Sequence, residues 1–200
     1  MTFSFIIPTS GRKTIIQTIN SLNGQISSND EILVVQDPGM DILSIIKDKI
    51  NIPIKTITDT TPGNNKWGYK ARTYGMFCAT KEWIHIIGDD DIYIQGSIQK
   101  LRSLVSSCDK VPIICRMKRG GNEADTIWKA PVFGYKEAQL GGEMYVFPNI
   151  KDKFGRFATS YINEKTPVHY CGDAQFISEL VSNYNKKVIW SNIIICHWRA

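Results

Sequence analysis

The chain has 200 residues, of which 42% are hydrophobic and 22% are charged; these values are ordinary for a soluble globular protein with one sizeable core. No apolar run approaches the roughly 20 residues that span a bilayer, and the N-terminal apolar stretch lacks the basic start and cleavage site of a signal peptide. The net charge of +5 suits anionic ligands such as nucleotides or phosphates, but it does not by itself indicate nucleic-acid binding.

The first half of the chain alternates strand-like with helix-like segments. Apolar runs closed by turn residues predict four buried strands, which begin near Phe3, Glu31, Ile52 and Trp83. Aliphatic residues at helical spacing predict helices between them, and Asp41 can cap the second of these. Such alternation predicts an α/β fold with a mostly parallel sheet and right-handed crossovers.

The second half is less regular and richer in glycine and aromatic residues. It predicts a helix stripe through Ile98 and Val105, strands at VPIIC and EMYVF, a helix from Asp173 to Tyr184 and a final apolar strand. No repeat or linker divides the chain, so we expect a single domain over residues 1–200 whose halves, about 1–93 and about 94–200, differ in texture.

The five cysteines are widely separated and form no CxxC pair that would indicate zinc or redox chemistry. They are Cys78, Cys108, Cys115, Cys171 and Cys196. Most lie in apolar surroundings, which predicts buried free thiols. With no signal peptide predicted, this pattern favours a cytoplasmic location.

Three adjacent carboxylates, Asp89, Asp90 and Asp91, follow the apolar strand that begins at Trp83. Carboxylates at the end of a buried strand repel one another and are costly to desolvate, so they need partners. Ligands of parallel sheets collect beyond the carboxyl ends of the strands, and oxygen ligands suit Mg²⁺, Mn²⁺ or Ca²⁺. The triplet favours a metal site; the alternative is a turn whose aspartates cap the next helix.

Five segments occur in the order seen in GT-A glycosyltransferases, and the chain most resembles family 2 of these enzymes. The segments are FSFIIPTSGR, EILVVQDPG, KARTYGMFCATKEWIHIIGDDDIY, CGDAQF and the terminal CHW. The resemblance implies a GT-A fold, in which a Rossmann-like, mostly parallel sheet is flanked by helices. It also implies a metal-dependent transfer, with Mn²⁺ or Mg²⁺, of a sugar from a UDP-sugar to an acceptor hydroxyl, with inversion. On this basis residues 1–93 would handle the nucleotide and residues 94–200 the acceptor.

The resemblance further implies which residues contact the nucleotide. They are Pro8, Thr9, Ser10, Asp37, Lys70, Arg72 and Asp89. Asp37 matches the aspartate that binds the base, and its carboxylate can accept the imide N–H of uracil. Arg72 matches an arginine near the base and phosphates, and arginine can bind phosphate through two hydrogen bonds. The alternatives are an Asp-Pro-Gly turn at Asp37 and a solvent-facing cation at Arg72.

For the metal, the resemblance implies Asp90, Asp91 and His197 as ligands. Gly88 stands where many members have the first aspartate of the Asp-X-Asp (DXD) motif, although Asp89 and Asp91 themselves form such a motif. His197 suits Mn²⁺ better than Mg²⁺. A packed histidine beside an apolar strand is the alternative for His197.

Asp173 matches the catalytic base of the family's Glu-Asp motif, with Gly172 in place of the glutamate. The alternative is an N-cap for the helix that follows, and one residue can serve both roles. Gly141 and Gly142 resemble a glycine-bearing loop near the donor sugar, although a plain turn fits them equally. Aromatic residues of this half, including Trp128, Tyr135, Tyr145 and Phe147, are interpreted as core or cleft wall.

Other functions fit parts of the pattern. A GT-A-like nucleotidyltransferase would bind a nucleotide and Mg²⁺ but needs a glycine-rich basic loop that TSGRK matches poorly. A non-catalytic nucleotide-sugar or glycan binding module would explain the changes at Gly88 and Gly172. The basic run Arg116–Arg119, interpreted first as a solvated loop, could instead face an anionic acceptor. The sequence does not identify the acceptor, for which a glycan and a modified nucleic acid are both candidates. It also excludes neither a retaining mechanism nor any oligomeric state.

Overall fold

A sheet of eight strands forms the centre of the computed structural model, which describes residues 1–60, 68–119, 141–157 and 171–198. The strands are β1 (Phe3–Thr9), β2 (Glu31–Gln36), β3 (Lys55–Thr58), β4 (Trp83–Ile86), β5 (Ile92–Tyr93), β6 (Ile113–Arg119), β7 (Tyr145–Pro148) and β8 (Ile189–Trp198). The helices are α1 (Ile15–Ser21), α2 (Ile42–Ile46), α3 (Tyr69–Cys78), α4 (Ser97–Ser106) and α5 (Cys171–Asn183).

The strand order is β3-β2-β1-β4-β7-β6-β8-β5. The first four positions are parallel, with β1 between β2 and β4, as the alternation of strands and helices predicts. In the other half β7 is antiparallel to both neighbours, β6 is parallel to β8, and β5 is antiparallel to β8. Four of these seven described pairings are parallel, so the sheet is mixed.

Helix α3 packs closely on the parallel half of the sheet. A Cβ placed on Gly75 would lie 2.5 Å from Ile6 Cγ2 and 3.0 Å from Val35 Cγ2, closer than ordinary packing allows. The glycine therefore lets the helix approach β1 and β2, as its sequence context indicates. Arg72 precedes Gly75 by three positions and so lies on the same face of the helix, toward the sheet.

The cap of α2 agrees with the sequence prediction, whereas other boundaries differ from it. Asp41 caps α2, and its side chain accepts a hydrogen bond from the Ser44 N–H over 3.3 Å. The helix ends at Ile46 because Lys47 is extended and Asp48 has a φ of 58°. Helix α5 begins at Cys171, so Asp173 lies in its first turn rather than at its N-cap. The basic run Arg116–Arg119 belongs to β6 and is not a loop.

Among the described residues, no helix is long and apolar enough to cross a membrane. The four cysteines whose side chains are described are free: Cys115 and Cys196 are buried, and Cys78 and Cys108 are half-buried.

Candidate functional site

Two neighbouring strands bring the first site residues together. Because β1 and β4 run parallel side by side, the segment after Thr9 and the segment after Ile86 emerge at the same sheet edge. There the Thr9 hydroxyl donates to Asp89 Oδ2 over 2.6 Å and accepts from the Gly11 N–H over 3.0 Å. Asp89 is almost fully buried, so its carboxylate is fixed by the end of the neighbouring strand.

Arg12 pairs with this carboxylate cluster and is a residue that sequence reasoning missed. Its Nη2 atom lies 2.7 Å from Asp89 Oδ1, and its Nη1 atom donates to Asp90 Oδ2. The signal was present, since an arginine that follows β1 by three residues must lie near the edge where β4 ends. A tethered guanidinium thus partners two carboxylates for which the sequence had suggested only a metal.

Burial raises the pKa of Asp89 above its ordinary value, and the charge of Asp90 raises it further. The hydrogen bond from Thr9, the charge of Arg12 and the backbone amide of Ser10 act in the opposite direction. Asp89 is therefore satisfied largely by neutral donors and by one cation.

Asp90 and Asp91 converge in front of Gly88. A Cβ placed on Gly88 would lie 2.9 Å from both Asp90 Oδ1 and Asp91 Oδ2, so the absent side chain leaves room for the two carboxylates. Asp91 is also held through its backbone, because its carbonyl accepts from the Thr18 hydroxyl over 2.6 Å. Two converging carboxylates completed by water and phosphate fit Mg²⁺ or Mn²⁺.

His197 lies on the last strand, β8. This strand pairs with β5 so that Ile92 is opposite His197 and Tyr93 is opposite Cys196. Asp91 directly precedes β5, and its charge raises the pKa of the buried Cys196 thiol. The pairing therefore brings His197 to the strand that follows the Asp triplet, and its role as a metal ligand stays a prediction. Within the described ranges, no group of three or more His, Cys, Asp or Glu is arranged to hold a metal.

A second cluster forms where α3 meets the start of α5. Arg72 Nη1 donates to Asp173 Oδ1 over 2.9 Å, and its Nη2 lies 3.4 Å from Glu143 Oε1. Arg72 is 9% and Glu143 8% exposed, so the charges compensate one another away from solvent. Sequence reasoning chose Arg72 and Asp173 separately, for different roles, and did not identify Glu143.

Burial raises the pKa of both acids of this cluster above their ordinary values. The charge of Arg72 lowers the pKa of both Glu143 and Asp173, and the Gly142 amide also lowers the pKa of Asp173. The two carboxylates in turn raise the pKa of Arg72 against its own desolvation. Arg72 is therefore the counter-charge that favours the ionised form of Asp173.

Glycines shape the walls of this cluster. A Cβ placed on Gly142 would lie 2.0 Å from Arg72 Nη1 and 3.1 Å from Asp173 Oδ1, and one on Gly172 would lie 2.3 Å from Tyr69 Cζ. The Tyr69 ring therefore takes the space into which a side chain at position 172 would extend. Gly141 precedes a short 3₁₀ turn, Gly142–Met144, that carries Glu143.

The two clusters are electrostatically linked, because the charge of Asp90 raises the pKa of Glu143, which pairs with Arg72. His85 lies in the buried strand β4 and connects to Glu143. Its Nε2 atom is hydrogen-bonded to the Glu143 carbonyl over 2.8 Å, and its Nδ1 atom is hydrogen-bonded to the Tyr93 hydroxyl. Because a carbonyl can only accept, Nε2 carries the proton and Nδ1 accepts from Tyr93.

The remaining predicted residues surround this site. Pro8 is buried within β1, Ser10 is exposed after it, Asp37 directly follows β2, and Lys70 lies in the first turn of α3. Tyr145 and Phe147 are buried core residues of β7, in agreement with the prediction. Trp128 and Tyr135 lie outside the described residues.

Aromatic rings line the side of the site next to α5. Phe157 stacks between Tyr69 and Phe176, at centroid distances of 5.2 and 4.3 Å. The Arg72 guanidinium lies 5.8 Å from the centroids of Tyr69 and Phe157, which favours its position by cation–π attraction. The rings of Tyr69 and Phe157 therefore lie beside the Arg72 guanidinium, whose Nη1 atom contacts Asp173.

Comparisons with known proteins identify the family and the fold of the chain. The sequence matches the family model described as glycosyl transferase family 2 over residues 4–171. Among solved structures, S. aureus TarS 1–349 aligns with a TM-score of 0.71 and 18% identity, covering 98% of this chain and 60% of that one. The same protein in complex with UDP-GlcNAc gives 0.68 and 18%, covering 99% and 58%. The complex with UDP gives 0.69 and 17%, covering 100% and 61%.

A search of curated proteins found no match. The chain spans about three fifths of TarS 1–349 and 37% of the longer TarS chain. At these identities the structural likeness establishes the fold. The single-domain α/β GT-A fold predicted from the sequence is therefore confirmed.

Proposed function

The chain belongs to glycosyl transferase family 2, and from this premise we propose that it transfers a sugar from a UDP-sugar to an acceptor hydroxyl, with inversion. The observation that carries the proposal is the pairing of Arg72 with Asp173 and Glu143, within electrostatic reach of Asp90. The TarS structures with UDP-GlcNAc and UDP support a uridine nucleotide as the donor.

For donor binding, we assign the nucleotide to residues 1–93. Thr9 ends β1 beside Asp89 and Ser10 follows it, while Asp37 directly follows the neighbouring β2. The base and ribose can therefore lie across these two strand ends. Arg72 supports the placement of the phosphates, because its buried Nε has no hydrogen-bond acceptor among the described residues. A buried donor without a partner is costly, and a phosphate oxygen would satisfy it.

For the leaving group, Asp90 and Asp91 would hold Mn²⁺ or Mg²⁺. The bound ion supplies Lewis-acid stabilisation to the departing diphosphate. The two side chains converge in front of Gly88. With water and phosphate oxygens they would supply oxygen ligands of the kind that such an ion prefers, so this proposal does not depend on His197.

For the acceptor, Asp173 is the proposed base. Its carboxylate would take the hydroxyl proton as the acceptor oxygen attacks the anomeric carbon from the side opposite the diphosphate, which inverts the configuration there. Burial raises the pKa of Asp173 above its ordinary value, and a carboxylate of raised pKa is a stronger base. Arg72 keeps that carboxylate ionised and oriented between turnovers. Residues 94–200, including Gly141 and Gly142, would face the donor sugar and the acceptor.

The test is release of UDP from a panel of UDP-sugars by the purified protein, with Mn²⁺ and with EDTA. We expect release from at least one donor, dependent on Mn²⁺ and lost in Asp173→Asn. The exposed Asp152→Asn is the matched control and should behave as wild type. If UDP binds with Mn²⁺ but no donor or added glycan acceptor yields free UDP, the protein is a binding module and the proposed transfer is wrong.

A further inference from the structure

The most informative contact outside the assigned roles joins Arg12 to the acid cluster. Its guanidinium contacts Asp89 through one nitrogen and Asp90 through the other. Asp90 is also the carboxylate proposed to hold the divalent ion. In the protein without nucleotide, a tethered cation and a divalent ion therefore compete for the same group.

The two carboxylates that Arg12 contacts differ in exposure. Asp89 is buried, and it also accepts from the Thr9 hydroxyl and is stabilised by the Ser10 amide. The Asp90 side chain is 24% exposed, and its other oxygen lies toward Asp91 in front of Gly88. A divalent ion bound between Asp90 and Asp91 would therefore take over the charge compensation that Arg12 gives Asp90.

The Arg12 guanidinium lies at the solvent-exposed side of this cluster. Its side chain is 55% exposed, so leaving the pair costs little desolvation. It lies on the loop after β1, next to Gly11, whose φ is +83°. That loop belongs to the segment proposed to lie beside the phosphates, and arginine binds phosphate through two parallel hydrogen bonds.

We propose that Arg12 is a positioning residue that couples nucleotide binding to metal binding: it holds Asp90 in the empty site, transfers to the diphosphate when the nucleotide enters, and so releases Asp90 for the divalent ion. The inference rests on the proposed nucleotide site. Its consequence is that the ion binds weakly alone and tightly with UDP, and that Arg12 contributes to this difference.

By linkage, the factor by which UDP strengthens Mn²⁺ binding equals the factor by which Mn²⁺ strengthens UDP binding. In wild type, Mn²⁺ alone must displace Arg12, whereas Mn²⁺ with UDP need not. In Arg12→Gln, Mn²⁺ alone no longer has to displace a guanidinium from Asp90. The coupling factor should therefore fall, although direct contact between the ion and the diphosphate keeps it above one.

The test is titration of the protein with Mn²⁺ alone, with UDP in EDTA, and with UDP at saturating Mn²⁺, by calorimetry. We expect Arg12→Gln to bind Mn²⁺ alone at least about fivefold more tightly than wild type, the lower end of usual coupling energies, and to bind UDP in EDTA more weakly. Lys13→Gln removes the same charge from the adjacent exposed position and should do neither. Arg12→Lys should restore part of the wild-type behaviour.

A double variant, Arg12→Gln with Asp90→Asn, assigns the gain to one carboxylate, since the tighter Mn²⁺ binding should vanish in it. Equal or weaker Mn²⁺ binding in Arg12→Gln than in Lys13→Gln overturns the proposal. An unchanged affinity of Arg12→Gln for UDP in EDTA also overturns the proposal. Failure of wild type to bind UDP under any condition overturns the proposed function instead, and the Mn²⁺ titrations still decide whether Arg12 competes for Asp90.

Discussion

Arg72 Nη1 and Asp173 Oδ1 lie 2.9 Å apart, although the two residues are separated by 101 positions in the chain. The contact joins the helix assigned to the nucleotide with the turn assigned to the acceptor. It explains how a half-buried carboxylate can stay ionised: the guanidinium beside it offsets the cost of desolvation.

Replacing Asp173 with asparagine separates this structural role from the chemical one. The amide oxygen can still accept from Arg72, but it cannot take a proton. We therefore expect Asp173→Asn to leave UDP affinity unchanged and to lower kcat by about 10²- to 10⁴-fold, the usual contribution of a general base. Wild-type kcat in this variant would show that the base is another residue.

The pH dependence of kcat/KM should report the same carboxylate. Burial holds the pKa of Asp173 above the ordinary value of 3.8, and the base must be unprotonated to act. Activity should therefore rise with pH along a limb whose midpoint lies above 3.8. Because Arg72 lowers this pKa, Arg72→Gln should move the midpoint to higher pH. A midpoint that Arg72→Gln leaves in place would exclude Asp173 as the titrating group.

Asp90→Asn tests the metal assignment without measuring transfer. The variant loses one of two converging carboxylates, so the affinity for UDP in the presence of Mn²⁺ should fall by about tenfold or more, as is usual when a metal site is disturbed. The exposed Asp109→Asn should retain wild-type affinity. Calorimetry that finds equal affinities for Asp90→Asn and wild type would remove Asp90 from the site.

Gly75→Ala tests the close approach of α3 to the sheet. The added methyl would meet Ile6 and Val35 in the fully buried core, so unfolding by urea should show a loss of about 1–3 kcal/mol from overpacking. Thr73→Ala, in the same helix but half-buried, is the control and should change stability much less. A stabilised Gly75→Ala would mean that α3 lies farther from β1 and β2 than described.

His85 makes stability depend on pH. Burial lowers its pKa from 6.5 to about 4, so between these values the unfolded chain binds a proton that the folded protein does not. Stability should therefore fall as the pH falls through this window, by about 3 kcal/mol in total at 1.36 kcal/mol per unit. His85→Gln can still donate to the Glu143 carbonyl and accept from Tyr93, and it should remove this slope. Parallel curves for the two proteins would contradict the assignment.

The sequence predicted the parallel half of the fold because each of its strands is an apolar run closed by turn residues. It missed β5, since Ile92 and Tyr93 make only two residues of strand and follow three aspartates. It also read the basic run of β6 as a loop, because Arg116 and Lys118 alternate with the buried Met117 in a pattern that is easily taken for a solvated segment.

The sequence indicated the residue types of the candidate site but not which of their side chains form pairs. Position at a strand end selected the Asp triplet, and the resemblance to family 2 selected Thr9. The sequence could not show that Arg12 forms ion pairs with Asp89 and Asp90. Nor could it show that Glu143 and Asp173 both pair with Arg72. Such pairs depend on side-chain reach between distant segments, which periodicity does not encode.

The most direct test of the central claim is a crystal structure of the protein with UDP and Mn²⁺, in which anomalous scattering locates the ion. The account predicts the ion between Asp90, Asp91 and the diphosphate, with Arg12 moved from Asp90 to a phosphate oxygen and Asp173 facing the sugar side of the site. An ion bound away from both carboxylates, with Arg12 still on Asp90 and UDP in place, would contradict it.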